Sequence, residues 1–281
     1  MKRAIFVASV KGGVGKTLFS RGVLDRFRRT QRKCAAYDCD AEVGQLMQYY
    51  GTRSETASGS RTLVRDQDPL VGVRPLNILK PKDRDRLFSA LDLDADVILY
   101  DLPGGLMKEV TKSFGDSEIQ GGEAMVTMYN EAGYAVTVAV VITPFRKAIL
   151  AVSEAMATFG PGAEYLVIVN RFFGDDEDYA RWDAGETKKR LLKTGGKIIE
   201  LPKIQTGTLA LLDEHNLSFM KARDEVRKLS RLEVSRVQLW MRLMDEELFR
   251  ASDLLGFEAV ESAPGAGEAA AHDEGEGVDE A

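Results

Sequence analysis

SVKGGVGKTLF, residues 9–19, follows the apolar run Ala4-Ile5-Phe6-Val7-Ala8 and decides how the rest of the chain is read. A short apolar run, a glycine loop and then a helical pattern describe a strand that turns into a helix N-terminus. Several backbone N–H groups then point at one place, where the helix dipole adds about half a positive charge, and such a place suits phosphate. Gly12, Gly13 and Gly15 let the backbone approach phosphate oxygens closely. Lys16 can reach the β- and γ-phosphates of a nucleotide, and the Thr17 hydroxyl can ligate Mg²⁺. Val14 and Leu18 belong to the same loop-to-helix run. The competing reading is a glycine-rich turn with its lysines in solvent. The order strand, loop, G-K-T, helix argues against that. A second lysine, Lys11, stands too early in the loop to be this site's γ-phosphate lysine.

Composition bounds the rest. With 281 residues, 44% hydrophobic and 29% charged, the chain has the make-up of a soluble globule. Cys34 and Cys39 are too few for a disulfide framework and suit a reducing, cytoplasmic setting. No apolar run approaches the ~20 residues of a membrane span, and Met1-Lys2-Arg3 leads into the first strand without a signal-peptide pattern. The net charge of −6 is unevenly placed: residues 258–281 hold eight acids and no Lys or Arg, leaving the body near neutral. Gly, Ala and Glu dominate that segment, so we expect the phosphate-loop domain to span residues 1–257 and a disordered acidic tail to follow over 258–281.

Short β-branched runs alternate with longer helical patterns, which predicts a doubly wound α/β fold with a mostly parallel sheet. The expected strands are Ala4 to Ala8, Cys34 to Asp38, Leu76 to Leu79, Val97 to Asp101, Val136 to Thr143, Leu166 to Asn170 and Lys197 to Leu201. The first helix begins in the glycine loop and runs past Phe27. A helix is expected over residues 121–133, between glycines, and another over residues 146–159 that stops at Gly160. Residues 171–195 read as a polar surface loop and helix. From Ser218 to Phe249, Val226, Leu229, Leu232, Val237, Trp240, Met244 and Leu248 recur at helical spacing.

The usual phosphate loop has glycine where this chain has Val10. KGGVGKT, residues 11–17, resembles the deviant Walker A box of the ParA/MinD family of P-loop ATPases, residue for residue. That resemblance, over roughly residues 1–220, implies that Lys11 reaches across a nucleotide-sandwich dimer into the partner's site, as an arginine finger does. YDCDAEVGQL, residues 37–46, is similar to the family's switch I: Asp40 would orient the attacking water and Asp38 would support the Mg²⁺ shell. Two carboxylates at a strand's end also suit a helix cap, although ligands gather at that edge of an open sheet. DVILYDLPGG, residues 96–105, looks like a Walker B strand and switch II, with Asp101 holding Mg²⁺ through a water and the Gly104 N–H sensing the γ-phosphate. Many relatives have Pro-Pro or Ala-Pro where this chain has Pro103-Gly104-Gly105. Asn170 matches the position that hydrogen-bonds the adenine edge, and residues 201–204 fall where relatives close the base pocket. An asparagine ending a strand is also a common turn residue.

The resemblance implies Mg-ATP hydrolysis by an ATP-dependent homodimer, slow without a stimulating partner protein. The cysteines of iron–sulfur carriers, the basic amphipathic end of membrane-recruited relatives and the tyrosine-rich tail of the kinases are not in the sequence. The remaining expectation is a ParA-like positioning or partition ATPase, similar in character to those of plasmids and conjugative elements, with no membrane partner. Nonspecific DNA is a possible partner: Arg223, Arg227 and Arg231 follow i, i+4, i+8 with Lys228 beside them, a basic stripe suited to phosphates. Asp224, Glu225 and Glu233 are interleaved, as on an ordinary solvated face. Two other readings stand beside this one. A metabolic ATP-dependent ligase would need a second substrate pocket within residues 103–134, where Lys108, Glu109 and Lys112 are the polar candidates. A nucleotide-binding scaffold would hydrolyse negligibly.

Overall fold

The structure, a computed structural model, describes residues 1–40, 44–56, 59–115, 117–225 and 227–257. The expected acidic tail, residues 258–281, and Val226 lie outside the described residues.

Among those residues the strands are β1 Lys2–Ala8, β2 Cys34–Asp38, β3 Arg53–Glu55, β4 Arg61–Leu63, β5 Arg74–Pro75, β6 Val97–Asp101, β7 Tyr134–Ile142, β8 Glu164–Asn170 and β9 Lys197–Leu201. Seven of them form one parallel sheet in the order β5-β2-β6-β1-β7-β8-β9, and β3 and β4 pair as a separate antiparallel ribbon. The α-helices are α1 Lys16–Arg29, α2 Gln45–Tyr50, α3 Pro81–Asp85, α4 Glu118–Glu131, α5 Arg146–Phe159, α6 Ala180–Asp183, α7 Glu186–Lys193, α8 Thr206–Glu214, α9 Phe219–Arg223, α10 Arg231–Arg250 and α11 Ser252–Leu255.

Helices cover both faces, so the central strands are apolar without alternation. In β1, Ala4, Phe6 and Ala8 join the core under α4 and α5, whereas Ile5 and Val7 join the core under α1, α9 and α10. Phe6 stacks on Tyr100, Tyr100 on Tyr37, and Tyr129 of α4 meets Phe6 edge-on. The strand order reverses at β1, which lies between β6 and β7, and this is where open parallel sheets leave a crevice for ligands.

The helix expected over residues 121–133 starts earlier, at Glu118, with the Ser117 hydroxyl accepting from Gln120 N. Gly121 and Gly122 are therefore inside α4 rather than punctuating it. A Cβ at Gly122 would fall well within contact distance of the Thr158 carbonyl oxygen of α5, and one at Gly121 would do the same at Thr111. The obstacle is backbone in both cases and cannot swing aside. Gly122→Ala is accordingly expected to cost about 2–3 kcal/mol through overpacking, although alanine is the better helix former by about 1 kcal/mol. Chemical denaturation measures it, and an unchanged midpoint would contradict this close approach.

Two other expectations are corrected. Leu76 to Leu79 is not a strand: pairing stops at Pro75, Leu76 N donates to Asp38 O, and the Asn77 side chain accepts from Leu79 N to close a turn. The pattern from Ser218 to Phe249 is not one helix either. After α9 ends at Arg223, the Ser230 hydroxyl and the Glu233 carboxylate form a reciprocal capping box that starts α10.

Candidate functional site

The loop between β1 and α1 bends through Gly13 and Gly15, both in the left-handed region at φ 73° and 100°. A Cβ at Gly12 or Gly13 would meet nothing within 4 Å, so the loop's mouth is open on that side. At Gly15 the reverse holds, because a Cβ there would collide with the Asn170 amide nitrogen. Val14 turns its side chain into the core and offers its carbonyl to Asn170 Nδ2 at 2.8 Å. Asn170 Oδ1 accepts from Phe172 N at 3.0 Å, so Asn170 holds the loop and turns the chain after β8 at once.

The two loop lysines have separate surroundings. Lys16 is buried at 7% exposure and its Nζ reaches the Lys11 carbonyl at 3.5 Å, inside the loop. Burial pulls its ammonium below the ordinary lysine value, opposed by Asp101 and Asp40. Lys11 is exposed, and its Nζ lies 5.3 Å from the ring centroid of Phe145, at the start of α5.

Below the loop, Asp38 and Asp101 are register partners at the ends of β2 and β6. Asp38 accepts from Asp40 N at 3.2 Å and Met47 N at 3.0 Å. Asp101 accepts from Ser20 Oγ at 3.0 Å, and the nearby Thr17 hydroxyl favours its charged form. Both carboxyls are pushed above the usual range, chiefly by burial. Among the described residues no three His, Cys, Asp or Glu side chains form a metal cage. Two buried carboxylates and a hydroxyl beside an open phosphate loop do fit Mg²⁺, which takes one or two carboxylates and completes its shell with water and phosphate. Asp40 is half-buried and bridges Asn77 across the strand ends, while switch I residues 41–43 lie outside the described residues.

The turn after β6 is tied to the phosphate loop. Leu102 N donates to Val7 O and Gly105 N to Ser9 O, at 3.1 and 2.9 Å. A Cβ at Gly104 would overlap the Lys11–Gly12 peptide, so the residue after Pro103 must be glycine in this arrangement. This turn lies directly against the peptide that carries Lys11.

A cavity of about 440 Å³ opens beside the loop, lined by Gly13, Gly15, Lys16, Thr17, Leu18 and Asn170. Pro202 and Ile204, from the segment that the resemblance assigns to a base pocket, also line it, and Pro202 is held by Trp240 Nε1, which donates to its carbonyl at 2.8 Å. The volume is that of a ligand pocket with a few polar groups at one end. Several lining residues were not expected from the sequence, namely Arg21, Tyr49, Phe172, Phe173, Leu209 and Asp213. Arg21 is buried between the Tyr49 and Phe219 rings, at 3.6 and 4.5 Å, and Tyr49 donates to Asp213 at 2.6 Å. Its signal in the sequence was its place one turn after Thr17, on the same helix face.

The four basic residues proposed for DNA do not form a single helical stripe. Arg223 ends α9 and pairs with Asp224, Arg227 and Lys228 sit in the turn where Glu225 accepts from their N–H groups, and Arg231 begins α10.

The family described as the CobQ/CobB/MinD/ParA nucleotide binding domain matches residues 5–181, which hold the glycine loop, Asp38, Asp40, Asp101 and Asn170. The chain belongs to this family. The matched residues include the glycine loop and one side of the cavity beside it, whose other side comes from residues 202–213. No curated protein matches the sequence. Among solved structures, the septum site-determining protein MinD complexed with Mg-ADP from Pyrococcus horikoshii OT3 is 16% identical, with a TM-score of 0.49 over 88% of this chain and 96% of that one. The cell division ATPase MinD of Pyrococcus furiosus is 15% identical, with a TM-score of 0.48 over 88% and 99%. A protein assigned to plasmid partition in Borrelia burgdorferi B31, bound to AMPPNP, is 13% identical, with a TM-score of 0.47 over 88% and 99%. At identities and scores this low, none of the three bears on what this chain binds or does. No helix among the described residues is long and apolar enough to cross a membrane.

Proposed function

We propose that this family member is a Mg-ATP-dependent dimerisation switch that hydrolyses ATP slowly and positions DNA or protein cargo. The observation that carries the reading is the separation of the loop lysines: Lys16 occupies its own site, whereas Lys11 points out of it toward Phe145. A cation so placed serves a second chain docked on the loop face better than it serves its own. In this reading the N–H groups of Gly12 to Leu18 hold the α- and β-phosphates, and Lys16 holds the β- and γ-phosphates. The purine enters the cavity between Phe172, Pro202 and Ile204, with Asn170 at its edge. Thr17, Asp38 and Asp101 would hold Mg²⁺, which would supply positive charge to offset that of the phosphates. Asp40 orients the attacking water in line with the β–γ bridging oxygen, and Gly104 N–H accompanies the γ-phosphate. Catalysis is positioning and charge stabilisation, with no covalent intermediate on the protein.

The ligase reading finds less support. Lys112 pairs with Glu109, and Lys108 with Glu118, on the surface. The cavity that includes Lys108 is about 110 Å³, below the 300 Å³ or so that a small-molecule site needs.

Phosphate release with and without duplex DNA, paired with light scattering in ATP and in ADP, tests the switch. We expect a monomer-to-dimer shift specific to ATP, and slow turnover that DNA or a partner protein raises. Turnover that responds instead to a small metabolite would favour a ligase, and no turnover under any condition a scaffold.

A further inference from the structure

The longest helix, α10, buries Val237, Trp240, Met241, Met244 and Leu248 against the body. Trp240 packs on Phe219 with centroids 4.2 Å apart and hydrogen-bonds Pro202, so the helix is held in a defined orientation. Its outer face carries Ser235, Gln238 and Arg242, but a second, apolar stripe runs beside them. Leu232, Leu239 and Leu243 are 59%, 47% and 38% exposed, and on a helix these positions fall within a narrow stripe. Arg236, Glu246 and Arg250 continue the same stripe, so the series 232, 236, 239, 243, 246, 250 alternates steps of four and three, the spacing of a coiled-coil seam. Neither Arg236 nor Glu246 forms a salt bridge or side-chain hydrogen bond among the described residues. Exposed leucines at seam positions, flanked by the unpaired charges Arg236 and Glu246, describe half of an interface; Arg250 is held by Glu247 at 2.7 Å and offers the seam only its stem.

We propose that two copies of this chain pair through α10, antiparallel, about a two-fold axis at Met241. The pattern chooses both the partner and the register. Reversing the helix about position 241 sets Leu239 against Leu243 of the second copy, twice by symmetry. The same operation sets Arg236 against Glu246 and Glu246 against Arg236, and lays the Arg250 stem on Leu232. Every seam residue thus finds a complement in a copy of itself, as an isologous interface requires. The cost of this register is Arg242, which flanks the axis and meets its own copy; its long side chain can carry the charge outward to water. The acidic segment 258–281 is a poor alternative occupant, since Val260 and Val278 are its only large aliphatic side chains. A single helix pair buries less than a standard interface of about 1,200–2,000 Å², so the dissociation constant should be on the order of 1–100 μM. The pairing uses neither the phosphate loop nor nucleotide, and measuring it without nucleotide separates its failure from that of the ATP switch.

Sedimentation equilibrium of the full chain, free of nucleotide, tests this. We expect a monomer–dimer equilibrium that Leu239→Glu abolishes and Arg236→Glu weakens about tenfold, because each of two symmetric ion pairs becomes a repulsion. The reversed pair Arg236→Glu/Glu246→Arg should return the constant to within about threefold of wild type, a rescue that a merely unfolded variant cannot show. A full chain that remains monomeric well above this concentration range overturns the proposal, whether or not another segment covers the leucines. So does a dimer that Leu239→Glu leaves intact, or a charge reversal that fails to restore association.

Discussion

Lys16→Ala is expected to lower ATP affinity by about 10²–10⁴-fold. The basis is that one ammonium makes two charge-assisted hydrogen bonds to the β- and γ-phosphates, each worth about 1.5–3 kcal/mol. The structure adds a reason for the upper part of that range. Lys16 is the only one of the two loop lysines that reaches into the loop, and Asp38 and Asp101 lie below it as buried carboxylates. Without Lys16, a triphosphate would lose the one loop cation that offsets its charge beside Asp38 and Asp101. The nucleotide-free protein should not lose stability in parallel, because burial already disfavours the charged form of Lys16. Calorimetric titration with a non-hydrolysable ATP analogue, beside a thermal melt without nucleotide, separates the two effects. Binding within threefold of wild type would mean that the backbone amides alone hold the phosphates.

What the sequence disclosed about this site follows from which contacts are local. Lys16, Thr17, Gly13 and Gly15 are readable because a strand, a loop and a helix N-terminus within fifteen residues set their geometry. Asp38 and Asp101 are readable because a parallel sheet places strand ends along one edge, and the two strands are neighbours in register. The cavity walls were less legible. Arg21 resembles any helix cation until α2 and α9 bring Tyr49 and Phe219 to its two faces, and no local pattern reports those packings. Leu76 to Leu79 misled because Leu76 and Ile78 are buried by a turn at the sheet edge, where Asn77 closes the backbone on its own side chain and leaves Leu79 exposed. The broken helix before α10 was the opposite case. Ser230 and Glu233 spell a capping box in the sequence, but the apolar period continued across it and outweighed the cap.

Lys11→Ala is expected to leave ATP affinity within about threefold of wild type while turnover falls by about 10³ or more, the range in which a cation supplied in trans stabilises phosphoryl transfer. The argument is geometric. Ser9 Oγ donates to the Lys11 carbonyl at 2.7 Å, and the Gly104 turn packs against the Lys11–Gly12 peptide. The backbone at Lys11 is therefore held on the outer side of the loop, and its side chain leaves the site rather than entering it. To act on its own γ-phosphate, Lys11 would have to displace the peptide from Gly104 and enter the space that Lys16 holds. To act on a neighbour's, it needs only to leave the Phe145 ring, an exposed cation–π contact worth about 0.5–1 kcal/mol. The two routes differ in their dependence on protein concentration. A lysine given in trans makes specific activity rise with concentration until the ATP-bound dimer saturates, whereas one used in cis gives the same activity per chain at every dilution. Mixing Lys11→Ala with Lys16→Ala sharpens the distinction. The first variant binds ATP without a donor lysine and the second carries the donor without a functional site, so a mixed dimer holds one complete centre. Recovery of turnover in the mixture, from two variants inactive alone, is the expected result, and its failure alongside concentration-independent wild-type activity would return Lys11 to its own site.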